Sequence, residues 1–598
     1  MKSSSEHGEG DWFTELYNSR KSFIEISREN DFEHGIWQST VDKYAEPDHF
    51  IYELLQNAED QEATEVTFDL RKDSLVFSHN GAPFGQGNLF SPDDVKNITG
   101  IGNSNKPEQA NKIGKFGIGF KSVFVVTDRP EIHTTLGNAP FAFAIENLVL
   151  PIALGVAKRE GTEELTRFVL PFRISQADDM HTVIQAKLRS LGADALLFLE
   201  HLTSIIWRTE TEHGTYLCER NWEPGSAWES GKCQLVGEGV LSGSSKYDEK
   251  TYLLFNRVAT IEGADQRLAA RIAFQLDGNT IIPELDLPPV SVYFPTEERV
   301  GLKFRIHAPF LLTDNRANIK PQERVNHELA QTCANLLRES LPKLRDMGLL
   351  SVPCLSCLPI QESQFAGSIF LPLYEATRDA LKTESLIPTL GGSFACAEQV
   401  RIADTTALRS LLDSKQLSEL FQSAPEIDWL SSEITEAEQT SALRRYLQQI
   451  IAIGVVTPVS FADKFELGFI QKQSDGWLVA FYNFLTELKA LWRDKFSYQP
   501  AGALRGKPFI RLEDGSHVEP FKADGMTPGV YLPPDSETQF PTVKRSIAQD
   551  EKALRFFKEL GLDYPDMADE VIEIVLPLYT NNHPEVAESV YKKPVFWQ

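Results

Sequence analysis

The clearest hydrophobic pattern near the start of the chain predicts a helix over residues 46–62, beginning near Pro47. Its apolar side chains recur at helical spacing and form one face. Glu53 and Asn57 share a neighbouring stripe with Asp60 or Gln61. A carboxylate and an amide on one stripe can be directed at a common point, where one orients a water and the other ligates a hard cation. A solvated helix face has the same spacing. The apolar positions are Phe50, Ile51, Leu54, Leu55 and Ala58.

Alternating apolar and polar positions after this helix predict a β-hairpin. Residues 64–70 and 74–78 have the period of two that is typical of strands, with a turn between them. His79, Asn80 and Gly81 give the turn signal that ends the second strand.

A short helix and a glycine-rich segment come next. Ser91 is a capping residue, Pro92 suits the first helical position, and the carboxylates of Asp93 and Asp94 suit the helix dipole. The polar stretch that continues to about Asn111 is long and glycine-rich, and we expect a lid from about Ser91 to Asn111.

Glycines at 114, 117 and 119 precede an apolar stretch, Phe120 to Val126, that can begin as a helix. Converging backbone N–H groups and a helix N-terminus form a phosphate cradle. A tight helix-packing turn is the alternative for this spacing alone.

The order of these elements resembles the GHKL ATPases. The segment from Glu53 through Asn57 to Asp60 is similar to their N box, and the segment from Gly114 to Ser122 is similar to their second glycine box. The resemblance implies an α+β chain: a Bergerat-fold α/β sandwich ATPase domain, then an α/β middle (transducer-like) domain and C-terminal α/β modules. It also implies ATP and Mg²⁺ as cofactors.

The same resemblance implies roles for individual residues. Glu53 would be the general base, and Asn57 would ligate Mg²⁺. Arg316 would reach the γ-phosphate when the middle domain closes, unless it caps the helix that begins at about Arg324. Lys106, Lys115 and Lys121 are candidate phosphate cations, with solvated loop lysines as the alternative. The implied nucleotide-binding residues are Asn57, Asp60, His79, Asn80, Gly81, Lys106, Gly114, Lys115, Phe116, Gly117, Ile118, Gly119, Phe120 and Lys121.

One position departs from the family pattern. The first glycine box of the family begins with an aspartate that accepts the adenine amino proton, and His79 stands there instead. A neutral His79 can accept one hydrogen bond, and Asn80 can offer either a carbonyl or an NH₂ group. We expect ATP, with another purine triphosphate left open.

A second block places the chain nearer to one branch of the superfamily. Residues 292–297 and 304–319, together with the variant box at His79, are similar to the sacsin branch, which includes the plant NO VEIN-type proteins. This resemblance implies kinship with the N-terminal domain of the ninety-kilodalton heat-shock chaperone.

The remaining sequence suggests a multidomain chain. Residues 176–207 are predicted to form helices joined near Gly192, and residues 325–344 a further helix. Two similar strand-turn-strand segments, at 386–400 and 509–521, indicate a duplicated α/β module. The predicted domains are an ATPase domain (1–174), a middle domain (175–350) and two C-terminal modules (351–475 and 476–598).

Composition and charge narrow the function. The formal charge of −26 disfavours direct nucleic-acid binding without excluding a local basic groove. Six scattered cysteines and the absence of a signal-like N-terminus predict a cytoplasmic protein with no membrane segment. Cys354 and Cys357 form a CxxC without a second ligand pair, which favours buried structural thiols over zinc.

These observations predict an ATP-binding and hydrolysing conformational switch that controls a protein partner or effector. Bacterial relatives of the branch imply a role in anti-phage defence or DNA modification and restriction, and the class implies a homodimer on nucleotide binding. The alternatives are a non-hydrolysing nucleotide-binding scaffold and a chaperone-like protein.

Overall fold

The computed structural model describes residues 11–42, 49–82, 92–101, 119–136, 139–154, 165–223, 227–260, 267–313, 317–494 and 501–576. Two compact units make up the chain, residues 1–380 and residues 381–598. The finer division at residues 174, 350 and 475 stays a prediction. Among the described helices, none has both the length and the apolar content needed to cross a bilayer.

The first unit combines a large sheet with helices. Its helices are α1 (Asp11–Glu29), α2 (Glu33–Trp37), α3 (Phe50–Asp60), α4 (Pro92–Ile98), α5 (Ala177–Ser190), α6 (Arg324–Asp346), α7 (Val352–Cys357) and α8 (Leu371–Thr383), the last ending just beyond the unit. Short 3₁₀ helices cover Gly119–Val125, Ile174–Gln176, Ala193–Leu196 and Glu362–Gln364. The strands are β1 (Glu65–Leu70), β2 (Ser74–His79), β3 (Glu131–Leu136), β4 (Ala139–Glu146), β5 (Leu150–Leu154), β6 (Thr166–Pro171), β7 (Ser204–Arg208), β8 (His213–Arg220), β9 (Ser230–Leu241), β10 (Ser244–Thr260), β11 (Arg267–Asp277), β12 (Thr280–Ile281), β13 (Ser291–Val292), β14 (Phe294–Pro295) and β15 (Arg305–His307).

These strands form one mixed sheet within the described part of the chain. Its order is β14-β13-β15-β11-β10-β9-β8-β7-β1-β2-β6-β3-β4-β5, with β12 added beside β11. The predicted hairpin is confirmed, since β1 and β2 pair antiparallel from Val66 opposite His79 to Leu70 opposite Leu75. The predicted α+β class is confirmed as well.

A parallel pairing in the middle of the sheet corrects one prediction. The sequence predicts helices joined near Gly192 over residues 176–207. Helix α5 and the 3₁₀ helix Ala193–Leu196 are present, but β7 begins at Ser204 and pairs with β1 along its length. Ile205 and Trp207 alternate with more exposed neighbours and are almost fully buried. The alternation arises because one face of this strand is buried. In the sequence the strand is short and follows an apolar helical segment, so its period of two is hard to recognise.

Helix α3 packs its apolar face into the main core of the unit. Phe50, Ile51, Leu54, Leu55 and Ala58 are at most 1% exposed, which confirms the predicted amphipathic helix. Burial of each large side chain contributes about 2 kcal/mol. The core therefore fixes the orientation of the polar stripe that carries Glu53.

The second unit contains small sheets among helices. Its helices after α8 are α9 (Thr406–Leu411), α10 (Ser414–Leu420), α11 (Glu438–Gln449), α12 (Pro458–Lys464), α13 (Leu467–Ile470), α14 (Asp475–Thr486), α15 (Arg545–Ala548), α16 (Glu551–Leu560) and α17 (Met567–Glu570). Its strands are β16 (Ile387–Pro388), β17 (Phe394–Ala395), β18 (Val400–Ala403), β19 (Asp428–Trp429), β20 (Gly454–Val456), β21 (Ile510–Arg511) and β22 (His517–Val518).

The two similar segments form hairpins with the same local geometry. β16 pairs with β17 and β21 with β22, both antiparallel. Gly392 and Gly515 have positive φ angles of 79° and 85° in the two turns. The amide of the glycine bonds back to Thr389 in one hairpin and to Leu512 in the other. Glycine is favoured at both positions because L side chains rarely adopt this backbone conformation.

Candidate nucleotide-binding site

The carboxylate of Glu53 and the backbone of Gly119 lie in direct contact. Glu53 is 2% exposed on α3, and a methyl group placed at Gly119 would overlap its carboxylate. His49, at the start of the helix, brings its Nε2 to 3.6 Å from Oε1 of Glu53. The structure therefore joins the first polar residue of the predicted N box to the last glycine of the predicted phosphate cradle.

His79 lies in an aromatic pocket at the end of β2. Its ring stacks on Phe168 at 6.1 Å, and Phe168 also contacts Phe120 at 5.6 Å. Burial lowers the pKa of His79 to about 4, so the imidazole is neutral at physiological pH. Two residues implied to bind nucleotide, His79 and Phe120, are thereby brought to one aromatic cluster.

The hydrogen bonding of His79 corrects its expected role. The amide of Gly81 donates to Nδ1 of His79 at 3.2 Å. Because the neutral ring has one acceptor nitrogen and Nδ1 is that acceptor, the proton resides on Nε2. His79 therefore presents a donor rather than the acceptor that an adenine amino group needs.

Two threonines beside His79 carry hydroxyl groups that sequence reasoning missed. In the register of the sheet, His79 lies opposite Thr166, and Thr166 lies opposite Thr134, so the three side chains point to the same face. Both threonines are 1% exposed, and within the described residues neither hydroxyl has a hydrogen-bond partner. Buried polar groups are normally paired, which makes this row a candidate ligand contact. Only the strand register reveals it.

Asn80 and Gly81 shape the turn after β2. The Asn80 side-chain carbonyl accepts from the amides of Thr64 and Glu65, and its NH₂ donates to the Thr64 hydroxyl. Gly81 packs so closely on the end of α3 that a Cβ there would lie 2.6 Å from the carbonyl oxygen of Gln61. The side-chain amide of Asn80 is therefore engaged in hydrogen bonds within the protein. This placement does not support the predicted contact between Asn80 and the nucleotide base.

Lys121 is also placed differently from the expectation. Lys121 is 1% exposed, and its Nζ donates to the carbonyls of Ile98 and Leu148. Burial, with a smaller effect of nearby Arg20, lowers the pKa of Lys121 to about 7. This lysine connects the end of α4, within the expected lid, to the turn before β5. Its predicted contact with a phosphate is not supported by this geometry.

Glu59 fixes the far end of α3. Its carboxylate accepts hydrogen bonds from the backbone amides of Glu200, His201 and Leu202 at 2.7, 3.0 and 2.9 Å. Arg220 donates to carbonyls of the same loop, those of Leu199, Glu200 and Leu202. The loop before β7 is therefore a clamp that holds the end of α3. Helical spacing alone does not distinguish this role of Glu59 from that of a solvated carboxylate.

The second sequence block packs beside α3. Phe294 contacts Tyr52 of α3 with ring centroids 5.1 Å apart. The amide of Tyr293 donates to Nδ1 of His307 at 3.0 Å. Burial, with nearby Arg271, holds the pKa of His307 well below its ordinary value, so this histidine is a neutral structural acceptor. The block predicted from sequence therefore contacts the element that carries Glu53.

The remaining predicted site residues lie either on α3 or outside the described residues. Asn57 and Asp60 lie on α3, where Asn57 is half-buried and Asp60 is buried. The residues outside the description are Lys106, Gly114, Lys115, Phe116, Gly117, Ile118 and Arg316, together with Ser91 and most of the expected lid after Ile101.

The described residues fit a magnesium nucleotide in three respects. Carboxylate and amide oxygens on α3 are the ligands that Mg²⁺ prefers. Because Gly119 has no side chain, the Glu53 carboxylate can lie against the backbone at the end of the predicted phosphate cradle. The hydroxyl groups of Thr134 and Thr166 remain available beside His79. The site therefore has candidate groups for a cation, a phosphate chain and a base.

Helix α3, His79 and Gly119 all fall within one region that is similar to a known protein family. Residues 36–139 match the family described as the Sacsin domain. This match confirms the resemblance to the sacsin branch that the sequence predicts, and it covers α3 and the first strands.

The similar proteins are much longer than the matched region. The chain is 25% identical over 377 residues to Protein NO VEIN from Arabidopsis thaliana, covering 55% of this chain and 13% of that protein. It is 29% identical over 219 residues to Sacsin from Homo sapiens, covering 28% of this chain and 5% of that protein. The chain thus corresponds to a small part of both relatives.

Among solved structures, a topoisomerase IV ATP-binding domain of Francisella tularensis, in complex with a small-molecule inhibitor, matches 28% of this chain and 82% of its own. The sequence identity is 18% and the TM-score 0.22, a superposition too loose to support a comparison of the two sites.

Proposed function

We propose that this chain is a magnesium-dependent ATP-binding and hydrolysing conformational switch. The observation that carries the proposal is the contact between the buried Glu53 carboxylate and Gly119. It places a candidate general base against the end of a glycine-rich segment that the sequence predicts to be a phosphate cradle. The Sacsin domain match over the same elements supports it.

The residues of α3 supply the polar groups for this chemistry. Asn57 would hold the cation through its amide oxygen, and Glu53 would orient and deprotonate the attacking water. A bound magnesium nucleotide supplies the phosphoanhydride bond and a charged centre for the transferred phosphoryl group. Arg316 stays our candidate for the arginine that closes on the phosphates. The buried position of Glu53 limits competing solvent.

The base pocket would be formed by His79 and the two threonine hydroxyls. Because Nε2 of His79 carries the proton, the histidine can donate to an acceptor on the base, and a threonine hydroxyl can accept from an exocyclic amino group. This division of roles replaces the single aspartate of the family pattern. ATP remains the proposed nucleotide, because a threonine hydroxyl can accept a hydrogen bond from the amino group of adenine.

The output of the switch would be the state of a protein partner or effector. Support comes from the packing of Tyr293 and Phe294 beside α3, which connects the candidate site to the strands that follow β11. We further propose a cytoplasmic location for this chain, dimerisation on nucleotide binding and a role in phage defence or restriction. They rest on analogy with the branch.

Glu53→Gln tests the proposal, because it removes the base but retains side-chain volume. Wild type should release phosphate from ATP, and the variant should lose about 100-fold or more of that rate while nucleotide affinity is kept. Glu25→Gln, at an exposed position of α1, is the matched control and should behave as wild type.

Two results would replace this proposal with another function, and a third would overturn the assignment of the site. If wild type binds ATP with Mg²⁺ but releases no phosphate above a blank, the chain is a nucleotide-binding scaffold, the reading that the histidine at position 79 favours. If ATP changes nothing except the suppression of client aggregation, a chaperone-like function fits better. If neither ATP nor GTP binds at millimolar concentration, the site assignment is wrong.

A further inference from the structure

Two cysteines on neighbouring strands have their sulfur atoms in contact. Cys218 of β8 and Cys233 of β9 are 15 positions apart, and their Sγ atoms lie at 3.2 Å. Cys218 pairs with Leu235 and Arg220 pairs with Cys233, so the two cysteines are diagonal neighbours on one face of the sheet. Both are free thiols, 4% and 1% exposed. A disulfide needs about 2.05 Å between sulfurs, so a movement of roughly 1 Å would join them.

The surroundings make the two thiols unequal. The contact with Cys233 and the charge of nearby Arg220 lower the pKa of the Cys218 thiol. The same contact, with burial, raises the pKa of Cys233 above its ordinary range. Thiolate character governs the reactivity of cysteine toward oxidants. Cys218 is therefore the nucleophile of the pair, and Cys233 is the partner that resolves the product.

We propose that Cys218 and Cys233 form a redox-active dithiol that a peroxide converts into a reversible disulfide. The Cys218 thiolate attacks one oxygen of hydrogen peroxide, an S–O bond forms, the O–O bond breaks, and the departing hydroxide takes up the proton that Cys218 released. Cys233 then attacks the sulfenic sulfur, the S–S bond forms, and the S–O oxygen leaves with the Cys233 proton as water. Two thiols and one peroxide thus give one disulfide and two waters. The sulfur atoms lose two electrons, and the peroxide gains them.

The size of the oxidant follows from the burial of the pair. Hydrogen peroxide is little larger than water and can reach a buried thiol during local opening of the strands. A bulky disulfide such as oxidised glutathione would have to place its own chain between β8 and β9 before exchange. We therefore assign the site to small peroxides.

The cysteine pair lies beside the loop that holds α3, the helix of the candidate nucleotide-binding site. Arg220, two residues from Cys218, holds the carbonyls of the loop whose amides bind Glu59. The amide of Cys218 itself donates to the carbonyl of Thr203 at 2.9 Å, next to the same loop. A change of bonding at Cys218 therefore takes place beside the clamp on α3. Disulfide formation itself does not depend on the proposed ATPase function.

The test is a peroxide titration of the reduced full-length protein. After each dose, remaining thiols are alkylated in denaturant, and the peptides are mapped by mass spectrometry without reduction. Cys396 is partly exposed and serves as an internal control, because its oxidation shows that the peroxide has reacted with the protein. We expect a linked pair of peptides containing Cys218 and Cys233, lighter by two hydrogens, at doses no higher than those that oxidise Cys396. Dithiothreitol should restore both thiols.

Variants assign the two roles. Cys233→Ser should accumulate a sulfenic acid at Cys218 that dimedone traps, because the resolving thiol is gone. The double variant Cys354→Ser/Cys357→Ser removes the other closely spaced pair and should form the same link as wild type. The proposal is overturned if Cys396 becomes fully oxidised in wild type while Cys218 and Cys233 are recovered as free thiols. A link between Cys354 and Cys357 in place of the expected one would overturn it as well.

Discussion

Gly119 lies directly against the carboxylate of Glu53, at the point where the 3₁₀ helix Gly119–Val125 meets α3. The contact exists because position 119 has no side chain. The contact places Glu53, the expected general base, against Gly119, the last glycine of the expected phosphate cradle. The sequence of neither motif predicts where the other lies in space. The absence of a side chain at 119 is therefore a requirement of the site and of the packing around it.

Gly119→Ala should consequently impair hydrolysis. The added methyl overlaps the Glu53 carboxylate and displaces it, and a displacement of about 1 Å in a catalytic group can lower a rate about 100-fold. Phosphate release measured at saturating ATP provides the readout. Gly35→Ala is the matched control, because a Cβ at Gly35 of α2 meets nothing within 4 Å. Equal activity of the two variants would contradict the assignment of the site.

Thr166→Val separates a ligand contact from a structural one. Valine preserves the shape, and within the described residues the Thr166 hydroxyl has no partner to lose, so the free energy of unfolding should stay the same or rise. Nucleotide affinity should fall about tenfold, as expected for one hydrogen bond. Calorimetric titration and denaturant unfolding measure the two quantities.

The control for this change is Thr377→Val, whose hydroxyl donates to the carbonyl of Leu373 within α8. That variant should bind nucleotide normally. A destabilised Thr166→Val protein with unchanged affinity would show that the Thr166 hydroxyl serves the fold alone.

Glu59→Ala should destabilise the protein by about 3 kcal/mol, because three backbone amides lose their buried acceptor. Denaturant unfolding provides the free energy of unfolding. Glu25→Ala, exposed on α1, should change it by less than about 0.5 kcal/mol. A loss of nucleotide binding without a loss of stability would instead indicate that Glu59 contacts the ligand.

Lys121 should make stability depend on pH. Its pKa is about 7 in the folded protein and about 10.4 when unfolded, so the unfolded chain binds more protons between these values. The free energy of unfolding should therefore rise with pH above 7, by about 2 kcal/mol between about pH 7 and 9. Burial of the ammonium is the main cause, and the charge of Arg20 adds to it.

Lys121→Met is the variant that reveals this dependence. It removes the titrating group but keeps an unbranched side chain, so the rise in stability between neutral and alkaline pH should flatten. A general loss of stability is also expected, because the carbonyls of Ile98 and Leu148 lose a donor. Parallel pH profiles for wild type and variant would contradict the assigned pKa.

The elements with local signals were predictable from the sequence. The apolar face of α3, the hairpin of β1 and β2 and the glycine turns at Gly392 and Gly515 each depend on neighbours within a few residues. The helix predicted over residues 325–344 is present as α6, and its apolar residues at helical spacing are buried, namely Leu329, Cys333, Leu336, Leu337 and Leu341. Periodicity and turn chemistry determine such elements, so one segment at a time is enough.

The remaining features depend on distant parts of the chain. Thr166 becomes a site candidate only when β6 is placed beside β2, and β7 becomes a strand only when β1 offers an edge. Lys121 has the same sequence context whether it is buried or solvated, and its two carbonyl partners come from other elements. A single sequence records neither the register of a sheet nor the partners of a buried charge.

The parallel pairing between β1 and β7 has a practical consequence for the isolation of the region that carries Glu53. A polypeptide ended near residue 174 would keep β1 but lose the strand that covers one of its sides. The uncovered peptide groups would recruit strands from other molecules, and the shortened protein would precipitate or swap strands. The smallest well-behaved fragment should therefore extend to about residue 380, where the first compact unit ends.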